Sequence, residues 1–161
     1  MSKMKRFLLM LGVAAVMVTS AGCGAGTSPQ VKQEVATHNV EDYREFITKV
    51  MEEQSIHFGA FTVLAGNPKF SENQWKTDMG MVLGGISITS MDYLGYTAIP
   101  EGYEEIDAEI DKAMENYISF TKKTAKGIDD MSPDILAEAN KHMLKGVEHI
   151  STATDLMKKK N

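Results

Sequence analysis

The sequence predicts an all-α protein, an antiparallel up-down four-helix bundle that follows a signal peptide and a flexible tether. Three observations lead there. Apolar residues recur every three or four positions in four separate segments, as one face of a helix requires. Each segment is bounded by recognisable start or stop residues. The connections are only about six residues long, which makes successive helices antiparallel neighbours. Composition agrees: the 161 residues are 43% hydrophobic and 24% charged, with 7% aromatic residues and 4 prolines. A β-sandwich would call for more β-branched and aromatic strand residues.

The first helix begins at Val40, with Asn39 as its cap and Asp42 favourable in the first turn. Tyr43, Ile47, Val50, Gln54, Phe58, Phe61 and Ala65 follow at helical spacing, and Gly66-Asn67-Pro68 stops the run. For the second helix, Ser71 and Gln74 have the spacing of a capping box, and Phe70 and Trp75 flank it as a hydrophobic staple. Trp75, Met79, Val82, Ile86 and Tyr93 continue its face. Gly80, Gly84 and Gly85 lie inside it, each costing about 1 kcal/mol relative to alanine; close packing of a neighbouring helix is the expected reason.

Pro100 is expected to open the third helix, with Glu101, Glu104, Glu105 and Asp107 in its first turns. Its seam is Tyr103, Ile106, Ile110, Ala113, Tyr117, Phe120 and Thr124, and Gly127-Ile128 resembles a C-terminal cap. Ser132-Pro133-Asp134 supplies cap, first-position proline and acid for the fourth helix. Leu136, Ala139, Met143, Val147, Ile150 and Met157 form its apolar face. Helices of this length measure about 35 to 39 Å. The bundle domain is thus expected over residues 39–161.

The first 22 residues are an address. Lys3, Lys5 and Arg6 precede an apolar run over 7–18, the length of a signal-peptide core and short of the ~20 residues that span a bilayer. Thr19-Ser20-Ala21-Gly22-Cys23 follows, and its small residues before a cysteine resemble the lipobox of bacterial lipoproteins. Ser20 stands where that motif usually has leucine. The resemblance implies a diacylglyceryl group on the Cys23 thiol and cleavage after Gly22. Two acyl chains at ~0.8 kcal/mol per buried methylene suffice for stable anchoring. Residues 23–38, rich in Gly, Thr, Ser, Pro and Gln, are expected to be a lipidated flexible tether. The expected location is the extracytoplasmic face of the cell membrane.

Charge and motif content narrow the function. Loss of Lys3, Lys5 and Arg6 takes the formal charge from -5 to -8, and an acidic domain repels phosphate backbones, so no nucleic-acid partner is expected. Lys158, Lys159 and Lys160 suit the C-terminus of a helix. One cysteine leaves no intrachain disulfide and no Cys-based metal site. Gly85-Ile86-Ser87-Ile88-Thr89 lacks the second glycine of a nucleophile elbow. Asp107, Glu109 and Asp111 alternate as in a calcium loop, but Lys112 and Ile118 occupy its glycine and terminal-acid positions. No catalytic residue and no cofactor is predicted.

The remaining candidates for chemistry, as metal ligands, are His57 on the first helix, and His142 and His149 on one face of the fourth. A metal or haem site between helices one and four, neighbours in an antiparallel bundle, is geometrically conceivable. Neither Glu53–His57 nor Glu138–His142 has the Glu-x-x-His spacing of di-iron bundles. The eight methionines beyond residue 22 read as core filler.

Pro100-x-x-Tyr103 before an acidic helix, Gly127-Ile128-Asp129, and the run Leu136, Ala139, Leu144, Gly146, Ile150 and Ala153 are similar to small helical lipoproteins of Bacillus-type Gram-positive bacteria. That resemblance covers the C-terminal third. It implies a surface location and a helical fold, and it carries no activity. The expected function is a non-enzymatic binding or interaction module of the cell envelope, anchored to the membrane and engaging an envelope protein. A metal- or haem-binding bundle and an envelope hydrolase are the alternatives.

Overall fold

The computed structural model describes residues 39–160. Gly22, Cys23 and the proposed signal and tether lie outside them. The described residues form four helices: α1 (Val40–Gly66), α2 (Asn73–Gly95), α3 (Glu104–Asp129) and α4 (Pro133–Lys158). Each runs antiparallel to the next. Trp75 at the start of α2 donates from its indole N–H to Leu64 O at the end of α1. Lys123–Glu138 and His149–Glu109 pair α3 with α4 in reversed order.

Local chemistry accounts for the ends. The Asn39 side chain accepts from Glu41 N at 2.9 Å, and Glu41 and Asp42 face the positive end of α1. The Phe70–Trp75 staple forms, with the rings edge to face and their centroids 5.2 Å apart. The Ser71–Gln74 capping box does not. Lys69 to Glu72 close a turn through Glu72 N→Lys69 O, which places Ser71 one residue too early; Glu72 becomes the cap, and Gln74 bonds Asp78 instead.

The third helix starts later than Pro100. Pro100 to Tyr103 form a turn, closed by Tyr103 N→Pro100 O at 3.1 Å, in which Gly102 has φ 81°. That left-handed residue prevents helical continuity, so α3 opens at Glu104, with Glu104, Glu105 and Asp107 in its first turn. At the other end Gly127 is not the left-handed cap. Ser132 N bonds Gly127 O at 2.9 Å and Met131 N bonds Ile128 O at 3.2 Å, the two bonds of a Schellman motif with Met131 at the left-handed position (φ 49°). Gly127 serves packing: a Cβ there would lie 2.8 Å from Leu136 Cγ, so its absence lets α4 turn back tightly on α3.

The same device operates along the α3–α4 interface. The residues of α4 that are fully buried are Ala139, Gly146 and Ala153, spaced every seven positions. A Cβ on Gly146 would stand 2.7 Å from Tyr117 Cδ1. Small residues thus set α4 close against α3 and turn its larger apolar side chains sideways. Met143, Ile150 and Met157 are half-buried, and Val147, expected in the core, is 54% exposed. On α2 the buried residue of the next position, Leu83, takes the place expected for the half-buried Val82. Of its glycines, only Gly85 meets a neighbour: His57 of α1 occupies the space of its missing side chain, whereas Gly80 and Gly84 have nothing within 4 Å.

The core lies between α1, α2 and α3. Tyr43, Ile47 and Val50 of α1 meet Met79, Leu83 and Ile86 of α2 and Ile106, Ile110 and Met114 of α3. Phe58 and Phe61 extend it through contacts to Tyr117 and Phe120, with ring centroids 4.8 to 5.9 Å apart. No described helix is long and apolar enough to cross a membrane.

Candidate functional site

The α1–α4 side of the bundle is open. Helices α1 and α2, α2 and α3, and α3 and α4 pack together, but no Cα of α1 comes within 8 Å of one in α4. The expectation that the first and last helices are close neighbours is therefore corrected. The cause is the small-residue stripe of α4, which draws that helix onto α3 and away from α1. Between them runs an apolar groove of about 170 Å³. Ile47 and Met51 form one wall, Ile150, Ala153 and Met157 the other, and Ile110 of α3 the floor. Thr154 and Lys158 complete the lining, the Lys158 ammonium resting 3.1 Å from Asp155. Such a surface suits an apolar side chain or a short aliphatic segment. Its lining holds one ionisable side chain, Lys158.

The histidines lie elsewhere. His57 packs on Gly85, between α1 and α2. His142 Nδ1 is 3.1 Å from Asn116 Oδ1, and His149 Nδ1 is 2.7 Å from Glu109 Oε2, so both turn toward α3. Hydrogen bonds from Lys112 and then His149 hold the Glu109 carboxyl below its usual range. Among the described residues no three His, Cys, Asp or Glu side chains gather so as to hold a metal ion. The structure does not bring His57, His142 and His149 together. The alternating acids Asp107, Glu109 and Asp111 sit on α3, a continuous helix and not a calcium loop.

A polar cluster that the sequence did not announce closes the end of the bundle where α1 begins. Tyr43 and Tyr93 are buried, with their hydroxyls 3.0 Å apart. Tyr93 donates to Asp107 Oδ1 at 2.9 Å, and Tyr43 reaches the same oxygen at 3.3 Å. Each phenol has one proton. Tyr93's goes to the carboxylate, which leaves Tyr43's to be shared between Tyr93 and Asp107. Burial, reinforced by the nearby Asp107 charge, pushes both phenols well above their usual range. They stay neutral donors under ordinary conditions and are poor nucleophiles. Around them Phe46 stacks on Tyr96 at 4.0 Å, and Arg44 donates to Tyr103 Oη at 2.8 Å while Lys160 lies over the Tyr103 ring. No local spacing signalled it: Tyr43 on α1 and Tyr93 on α2 are too distant in sequence from Asp107 to read.

Gln54 makes a second buried polar contact. Its amide donates to Ser90 Oγ at 2.7 Å and to Ile86 O at 3.1 Å, fixing the register of α1 on α2. Comparison with protein-family profiles, curated proteins and solved structures found no match for this chain.

Proposed function

We propose that this protein is an exported lipoprotein, held at the extracytoplasmic face of a bacterial membrane by lipid on Cys23, whose bundle is a non-enzymatic binding module of the cell envelope. The observation that carries the binding role is the open α1–α4 groove. A bundle that served only as a spacer would gain by closing that seam, since burying a valine or isoleucine is worth about 1.5–3 kcal/mol. The N-terminal pattern from Lys3 to Cys23 supports the anchoring. Tethering raises the local concentration of such a module at the membrane, which makes a weak apolar contact sufficient. The envelope-protein partner belongs to this proposal. The histidines do not, because they are spread over separate interfaces.

Two measurements test it. Intact mass of the protein expressed in a bacterial host should show loss of residues 1–22 and added diacylglycerol, and Cys23→Ala should leave the membrane fraction. A bare thiol on an unprocessed chain would sink the anchoring. For the groove, detergent-solubilised protein should retain an envelope protein, and Ile150→Asp should release it without unfolding the bundle. Equal retention by that variant would remove the groove from the function.

A further inference from the structure

A second pocket lies at the opposite end of the bundle, and its chemistry is more specific than the groove's. It opens where α1 ends, α2 begins, α3 ends and α4 begins, and holds about 160 Å³. Phe61, Phe70 and Trp75 give it aromatic walls, and Ile128 and Leu136 close it from α3 and α4. The Trp75 N–H is already committed to Leu64 O. That leaves Thr124 as the uncommitted polar side chain of the lining.

Six helical threonines bond their own helix, and Thr124 does not. Thr48, Thr62, Thr77, Thr152 and Thr154 each donate to the carbonyl four residues back, and Thr121 donates to the one three back. Thr124 is 4% exposed, and its Oγ1 has no hydrogen-bond partner among the described residues. A buried hydroxyl left unbonded is unfavourable, and turning it toward a partner relieves it. In a helix threonine has two accessible χ1 positions. Passing between them turns the hydroxyl about Cβ without moving the backbone, so it can be offered to an occupant.

We propose that this pocket binds a small phenol, a single aromatic ring bearing one hydroxyl. The size suits one ring: an apolar cavity of about 150 Å³ takes up benzene. The walls offer ring edges and faces for aromatic contact. A single polar atom on the ligand matches the single free hydroxyl of Thr124. A carboxylate or a second polar group would be buried without compensation.

The full-length protein carries its own reporter, since its one tryptophan, Trp75, forms part of the wall. Titration with p-cresol should give a saturable change in Trp75 emission. Toluene, of nearly the same shape, should bind about five- to tenfold more weakly, the worth of one net hydrogen bond. Thr124→Val, which keeps the shape and removes the hydroxyl, should abolish that preference while leaving toluene affinity within about twofold, and Thr124→Ser should restore it. N-acetyltyrosinamide distinguishes the source: binding as tight as p-cresol assigns the site to a peptide-borne phenol, and weaker binding to a free one. The proposal is overturned if neither p-cresol nor toluene saturates the signal, or if Thr124→Val retains the full preference for p-cresol. Either failure leaves the anchoring and the α1–α4 groove untouched, because those are read by mass and by Ile150→Asp.

Discussion

Gly84 and Gly85 are adjacent on α2, yet the same substitution at the two should move stability in opposite directions. In an exposed or half-exposed helix interior, Gly→Ala removes the glycine's entropic penalty, worth about 1 kcal/mol. At Gly84 a Cβ meets nothing within 4 Å, so Gly84→Ala should gain that amount. At Gly85 the new Cβ would fall 2.7 Å from His57 Nε2 and nearer still to Cε1 and Nδ1, closer than real side chains approach. His57 must then swing out of its place between α1 and α2. Overpacking of this kind costs about 1–3 kcal/mol, which leaves a net loss near 1 kcal/mol after the propensity gain. Urea denaturation followed by circular dichroism reads the difference. With a slope of about 1–3 kcal/mol/M, Gly84→Ala should raise the midpoint by roughly half a molar and Gly85→Ala should lower it similarly. In a His57→Ala background Gly85→Ala should become stabilising, a coupling of about 2 kcal/mol. If Gly85→Ala raises the midpoint as much as Gly84→Ala with His57 intact, the packing argument for that glycine is wrong.

Other expectations follow from particular contacts. Met131 holds a left-handed conformation (φ 49°) and is 77% exposed, so Met131→Gly should stabilise the protein by about 1 kcal/mol in thermal or urea melts. Val147→Ser should change stability by no more than about 0.5 kcal/mol, because the side chain faces outward, whereas Met114→Ala at a fully buried position should cost about 2–5 kcal/mol. Tyr93→Phe removes a hydrogen bond to the Asp107 carboxylate and should cost about 1.5–3 kcal/mol. The buried phenols also set an alkaline limit: Tyr43 and Tyr93 are raised, and burial pushes Tyr117 up to about 12. Unfolded tyrosines ionise near pH 10, so the unfolded chain releases these protons first. The phenols' contribution to stability should therefore be level below about pH 10 and be lost as pH rises beyond it, with phenolate absorbance of these residues appearing together with unfolding.

What the sequence determined by itself is the set of helices and much of their punctuation. Asn39 and Ser132-Pro133 act on the next turn of their own chain, and the seam Tyr43–Ile47–Val50–Gln54 is a periodicity within one segment, so both could be read without a partner. Tertiary structure decided which face of each helix was used, and how closely. Of Ala139, Gly146 and Ala153, the periodicity placed only Ala139 on the apolar face; the fold makes all three the buried line of α4, with Tyr117 seated on Gly146, and leaves Val147 outward. Tyr43, Tyr93 and Asp107 come from three helices up to 64 residues apart, and nothing local in any of them marks the shared hydrogen bonds. The same holds for Thr124, whose place in the pocket lining is set by the walls that other helices bring around it. Helix formation depends on interactions within about four residues, whereas the depth and rotation of packing depend on side chains brought together by the whole fold.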